Sequence, residues 1–187
     1  MDISVIIPIF NTGEYLTDCL NTVKRNIAGL TAEVLLIDDG STDNSASIAK
    51  AFAERETEFH YYRTENRGQS CARNYGVSLA MGKYLFFMDS DDLLIDGILL
   101  KMFLVAEENK TDLTICNVCK MKEKSFSVSP IHVRAFYNLT GNVTHIKSHS
   151  ALAYDSTSTN KLIVRSFYVK NGFVSAGLQQ PFFAGQT

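Results

Sequence analysis

The sequence predicts an α/β domain with a mostly parallel central sheet and helices on both faces. Three observations carry this. Short β-branched or aromatic runs alternate with stretches of helical apolar spacing through about residue 116, the signature of βα units. The runs are apolar throughout rather than alternately polar, as strands buried on both faces are. Three of them stop abruptly in polar residues, which a parallel sheet would gather at one edge.

The chain opens with Ile3-Ser4-Val5-Ile6-Ile7-Pro8, read as a buried strand ended by proline. A turn at Phe10-Asn11-Thr12-Gly13 leads into a helix marked by Leu16, Cys19, Leu20, Val23 and Ile27, with Asn11 or Thr12 as N-cap and Gly29 as its end. Glu33-Val34-Leu35-Leu36-Ile37 is a second strand, running into Asp38-Asp39-Gly40-Ser41-Thr42-Asp43. Ser41 or Thr42 is the expected cap of the next helix, whose buried face carries Ile48, Ala49 and Phe52.

Phe59-His60-Tyr61-Tyr62-Arg63 is a shorter third strand, followed by the loop Asn66-Arg67-Gly68-Gln69-Ser70 and a helix reaching Gly82. Then comes Tyr84-Leu85-Phe86-Phe87-Met88-Asp89-Ser90-Asp91-Asp92, an apolar run that ends in three carboxylates around a serine. Ile95, Ile98, Leu99, Met102, Phe103 and Ala106 predict a further helix, with Asp92 as its cap, and Leu113-Thr114-Ile115-Cys116 a fifth strand. Residues 120–128 read as a loop or an edge hairpin, residues 131–153 show no clear period, and Asn160-Lys161-Leu162-Ile163-Val164-Arg165 reads as a short strand. We therefore expect one domain, with 1–118 as a ligand-binding α/β half and 119–187 as its remainder.

Composition excludes several classes. A net charge of −2 argues against a general nucleic-acid binder, which displays a basic surface. No apolar run approaches the roughly 20 residues of a membrane span, and the N-terminus lacks a secretory signal, so a cytoplasmic location is expected, the inner face of the cell membrane included. Cys19, Cys71, Cys116 and Cys119 suit reduced, buried thiols. Cys116-Asn117-Val118-Cys119 has redox-motif spacing but no second pair, and His145 and His149 lack the glutamate of a zinc-protease helix. The glycine patterns of dinucleotide folds and P-loops do not occur.

The chemistry is expected where the three polar strand ends meet: Pro8-Ile9-Phe10-Asn11, Asp38-Asp39, and Asp89-Ser90-Asp91. Mg²⁺ and Mn²⁺ prefer hard oxygen ligands and are held by one or two carboxylates plus phosphate oxygens. Asp89 and Asp91, one residue apart on a turn, can supply such ligands. Taken singly, each acidic turn could equally be a helix start; brought to one edge, they make a site for a phosphorylated ligand.

These three strand ends with the apolar runs before them, and Asn66-Arg67-Gly68-Gln69-Ser70-Cys71-Ala72-Arg73-Asn74-Tyr75-Gly76 as a fourth motif, resemble in order and spacing the family 2 inverting glycosyltransferases of the GT-A fold. The resemblance is strong over residues 3–103 and extends weakly to Asn160-Lys161-Leu162. It implies transfer of a sugar from a nucleoside-diphosphate sugar, a UDP-sugar first among them, to a saccharide or lipid-linked acceptor, with inversion and help from Mn²⁺ or Mg²⁺. It implies that Pro8, Ile9, Phe10 and Asn11 cradle the nucleoside, that Asp39, or Asp38 with it, accepts from the base, and that Arg73 lies near the nucleotide. Asp89, Ser90 and Asp91 would form the Asp-x-Asp element, Asp91 the likelier metal ligand and Asp89 closer to the ribose.

One departure stands out. Similar proteins carry a catalytic aspartate after the Asn-Lys-Leu stretch, whereas here Gly177-Leu178-Gln179-Gln180-Pro181-Phe182-Phe183 has no carboxylate, and the nearest acid upstream is Asp155. Amides such as Gln179 and Gln180 cannot accept the acceptor's proton. The alternative expectation is a nucleotide-sugar-binding protein without catalysis.

Overall fold

A computed structural model of the chain describes residues 1–122, 125–128, 143–144, 148 and 158–175. Its core is a six-stranded sheet built from β1 (Ile3–Ile9), β2 (Ala32–Asp38), β3 (Phe59–Arg63), β4 (Tyr84–Phe87), β5 (Leu113–Ile115) and, late in the chain, β8 (Lys161–Val164). Between β5 and β8, the strands β6 (Cys119–Lys122) and β7 (Ser125–Val128) pair as a separate antiparallel hairpin, one of the two alternatives expected there.

The strand order is β3-β2-β1-β4-β8-β5. β3, β2, β1 and β4 run parallel, while β8 lies antiparallel between β4 and β5. The sheet is thus mostly parallel, as expected, with one reversed strand inserted from the far part of the sequence. All seven residues of β1 are buried, which is why its sequence is apolar without alternation.

The two faces bury separate clusters. Ile3, Val5, Ile7 and Ile9 pack with Val34, Leu36 and Phe86 under α1 (Gly13–Asn26), α2 (Ser45–Arg55) and α4 (Ile98–Asn109). Ile6, Leu35, Ile37, Leu85 and Phe87 pack on the other face with Ala72 and Tyr168, from α3 (Gln69–Leu79) and α5 (Arg165–Lys170). Odd and even positions of one strand therefore serve different helices.

Several local expectations are corrected. α2 begins at Ser45 after Asn44, not behind a Ser41 or Thr42 cap, because the Ser41 hydroxyl and the Thr42 amide are already bonded to the β1–α1 turn. Asp92 caps no helix: α4 starts at Ile98 behind left-handed Gly97 (φ 79°), and Ile95 is exposed in the preceding loop. α1 ends at Asn26 and α3 at Leu79, each short of the glycine expected to stop it. Cys19 alone of the four thiols is buried, and Cys119 is exposed; none of the four forms a disulfide among the described residues.

Candidate functional site

The carboxyl ends of β1, β2 and β4 open onto one cleft of about 470 Å³, to which the turn after β1, Asp39 and the turn after β4 all contribute. Parallel pairing makes this unavoidable: the β1–β2 register sets Ile9 beside Asp38, and the β1–β4 register sets Ile6 beside Phe87. In open α/β sheets such an edge is where ligands bind.

On the β1 side, Pro8 and Ile9 are buried in the cleft wall and Phe10 stands 44% exposed at its mouth. Asn11 takes a left-handed backbone (φ 52°), which asparagine tolerates better than most residues. Its side-chain oxygen accepts from the Thr42 amide at 2.8 Å, so Asn11 ties the turn to the loop after β2. Next to it, the Thr12 hydroxyl donates to Ser90 Oγ at 2.9 Å, fastening the β1 turn to the acidic turn of β4.

The two aspartates at the end of β2 do different things. Asp38 is fully buried, and its carboxylate accepts from the Ser41 amide (2.8 Å), the Tyr61 hydroxyl (2.6 Å) and Arg63 Nη1 (2.9 Å). It is spent inside the protein and does not line the cleft. Asp39 does line it, although only 2% exposed. Asp39 accepts from the Arg67 amide at 2.9 Å and the Gly68 amide at 2.8 Å, shaping the loop before α3. A carboxylate has about four acceptor positions, and the 3.3 Å approach of the Thr64 hydroxyl leaves capacity for a ligand donor.

On the β4 side, Asp89 Oδ1 accepts from Arg73 Nη2 at 2.5 Å and from Gln69 Nε2 at 2.9 Å. Arg73 is largely buried: its side chain is 11% exposed, and its Nε has no hydrogen-bond partner among the described residues. Asp91 is exposed and forms no hydrogen bond or ion pair among the described residues. Burial raises the Asp92 carboxyl to about 6, with the charges of Asp89 and Asp91 adding to it; the residue is largely exposed, so solvent screens part of this. Beneath the turn, burial pushes the Cys19 thiol well up, and it remains a neutral donor to the Asp89 carbonyl.

This donor set fits Mg²⁺ or Mn²⁺. Among the described residues no three His, Cys, Asp or Glu side chains gather as a closed cage. An unpaired Asp91 and the second oxygen of Asp89 instead suit a cation that completes its shell with phosphate and water.

The structure brings together Pro8, Ile9, Phe10, Asp39, Asp89, Ser90 and Asp91, with Arg73 behind Asp89, and leaves Asp38 and Asn11 as supports. Thr12, Asn66, Gly68 and Gln69 also line the cleft, where sequence reasoning had read Thr12 only as a cap and the other three only as part of a loop and motif. For those three the signal was the loop before α3, whose Gly68 (φ 89°) permits the turn. His145, His149, Asp155, Gln179 and Gln180 lie outside the described residues.

A family model described as "Glycosyl transferase family 2" matches residues 4–170. The chain belongs to this family. Glycosyltransferase GlyG of Streptococcus pneumoniae is 37% identical over 117 residues, 62% of this chain and 38% of that protein. Staphylococcus aureus TarS, solved with UDP-GlcNAc, superposes with a TM-score of 0.76 at 22% identity over 93% of this chain and 48% of its own. The mannosyltransferase PcManGT of Pyrobaculum calidifontis, solved with GDP-Man and Mn²⁺, gives 0.59 at 20% identity, covering 91% and 46%. The fold is thus the GT-A fold of family 2, and the chain spans less than half the length of these relatives.

Proposed function

We propose that this family 2 domain binds a nucleoside-diphosphate sugar, a UDP-sugar foremost, and transfers the sugar with inversion to a saccharide or lipid-linked acceptor. One observation carries the reading: an acceptor-rich pole at Asp39 and a cation-suited pole at Asp89 and Asp91 share one cleft. A base with an N–H suits the first pole, and a diphosphate needing charge neutralisation suits the second. Phe10 offers an exposed ring for stacking at the mouth. The neighbours solved with UDP-GlcNAc and with GDP-Man and Mn²⁺ support this class of ligand.

Asp91, with Asp89, would hold Mn²⁺ or Mg²⁺, which when bound neutralises charge growing on a departing diphosphate. Arg73 and Gln69 both donate to one oxygen of Asp89, which leaves its other oxygen without a hydrogen bond among the described residues. Inversion needs a base opposite the leaving group, and in the segment 177–183, where the resemblance puts that carboxylate, the sequence carries the amides Gln179 and Gln180 instead. That observation favours, as the second reading, a domain that binds donor without transferring it; single-turnover product formation separates the two.

The test of the donor site is calorimetry with UDP, with and without Mn²⁺. Wild type is expected to bind UDP more tightly with Mn²⁺, and Asp91→Ala to lose that gain while retaining the metal-free affinity. Metal-independent binding in both proteins would remove Asp91 from the role.

A further inference from the structure

The loop between β4 and α4, which carries Asp91, is held along one face of α1. Cys19, Thr22 and Asn26 stand at i, i+3 and i+7 of that helix and so share the face. All three are buried, yet each turns a polar atom outward from α1. The Cys19 thiol donates to the Asp89 carbonyl at 3.7 Å, the Leu94 amide donates to Thr22 Oγ1 at 3.1 Å, and the Leu99 amide donates to Asn26 Oδ1 at 3.4 Å. Just ahead of α1, the Thr12 hydroxyl holds Ser90 Oγ at 2.9 Å. The Thr22 hydroxyl has one proton, and this goes to the Cys19 carbonyl at 2.7 Å, which leaves a lone pair for Leu94.

Asp91 lies between the anchored residues Ser90 and Leu94, and its own side chain forms no hydrogen bond or ion pair among the described residues. Its carboxylate is therefore placed through the backbone. That backbone is closed into a turn by the Asp92 amide on the Asp89 carbonyl at 3.1 Å, held before Asp91 by Thr12 and after it by Thr22. Resting on the donor reading above, we propose that Thr22 is a positioning residue for the metal pole, whose hydroxyl holds the far side of the acidic turn so that Asp91 meets a cation bound with the diphosphate. Thr22 does not line the cleft, so its effect reaches the ligand only through the turn. Thr22→Val keeps the shape and removes the acceptor, which leaves the Leu94 amide facing a methyl group. The loop then shifts to turn that amide to water, and fewer molecules hold Asp91 in place. Apparent affinity falls with that fraction. The preference lost is that of one buried hydrogen bond, equivalent to about three- to tenfold.

The experiment is calorimetry of the chain with UDP, with and without Mn²⁺, for wild type, Thr22→Val, Thr22→Ala and Thr22→Ser, with thermal melts alongside. The quantity read is the factor by which Mn²⁺ tightens UDP. Thr22→Val and Thr22→Ala should each cut that factor about three- to tenfold and leave the metal-free affinity as in wild type, while Thr22→Ser, which keeps the hydroxyl, should hold the wild-type factor. Two hydroxyl-free variants guard against one failing to fold. A role in packing alone would lower the melting temperature and leave the factor intact. That result in whichever hydroxyl-free variant folds overturns the proposal, as does an equal loss in Thr22→Ser, and both leave the donor site standing. A wild type that binds UDP no more tightly with Mn²⁺ overturns the metal pole of the donor reading and the proposal together.

Discussion

Removing the Asp38 carboxylate tests whether the first aspartate of the pair is a structural group rather than a ligand. Asp38→Ala strands the Ser41 amide and the Tyr61 hydroxyl and cuts Arg63 loose. Hydrogen bonds to a charged group are worth about 1.5–3 kcal/mol each, but Arg63 is 46% exposed and turns to water, so its share is small. The Ser41 amide is buried and the Tyr61 hydroxyl half-buried, which sets the loss at about 2–4 kcal/mol. For a domain of this size that is a fall in Tm of roughly 5–15 °C. Asp38→Asn keeps the volume and one acceptor oxygen and should lose about half as much. The assay pairs urea denaturation with UDP calorimetry below each variant's melting range. Asp38→Asn should bind UDP within a few-fold of wild type once folded. A variant with wild-type stability and abolished UDP binding would refute the reasoning, since the carboxylate would then face the ligand.

Two other perturbations test the packing and the charges of the frame. A Cβ at Gly76 would stand 2.4 Å from Ile6 Cγ2, between α3 and the most buried strand, so Gly76→Ala should cost about 1–3 kcal/mol despite the better helix propensity of alanine; an unchanged Tm would show that α3 sits further from the sheet. Glu107 is held at about 2, first by its hydrogen bond from Lys83 and then by that from the Tyr84 hydroxyl. A lowered carboxylate stabilises above its unfolded value of 4.5 and loses this as pH falls toward 2. The Tm advantage of wild type over Glu107→Gln should therefore be full near pH 6 and shrink below pH 4.5 in melts across that range; an advantage that grows on acidification would reverse the sign.

The sequence made the strands legible because burial on both faces leaves apolar runs such as Val34-Leu35-Leu36-Ile37, which no surface segment would keep. It also made the acidic strand ends legible as one edge. It did not separate Asp38 from Asp39, because that depends on which face of β2 each side chain takes. Asp38 continues the parity of Val34 and Leu36, and its partners Tyr61 and Arg63 come from β3 across the ladder. Helix starts failed for a related reason. Ser41, Thr42 and Asp92 have the chemistry of caps, but Ser41 and Thr42 are committed to Asn11 across the turn, and the loop from Asp92 to Gly97 runs along α1, held by the Leu94 amide on Thr22.

The position of the cleft follows from strand order, which no local pattern encodes. β1 continues to β2 on one side and finds β4 on the other, so the chain leaves β1 in one direction and returns against its opposite edge. At such a reversal the connections diverge and leave a crevice. The three polar strand ends would be scattered along an edge if the order were sequential; here β1 is central and all three border the crevice. The Thr12 hydroxyl on Ser90 spans the reversal itself, between residues 78 apart in sequence. The acidic turn after β4 is thus held in register with the turn after β1, and a ligand laid across β1 meets both.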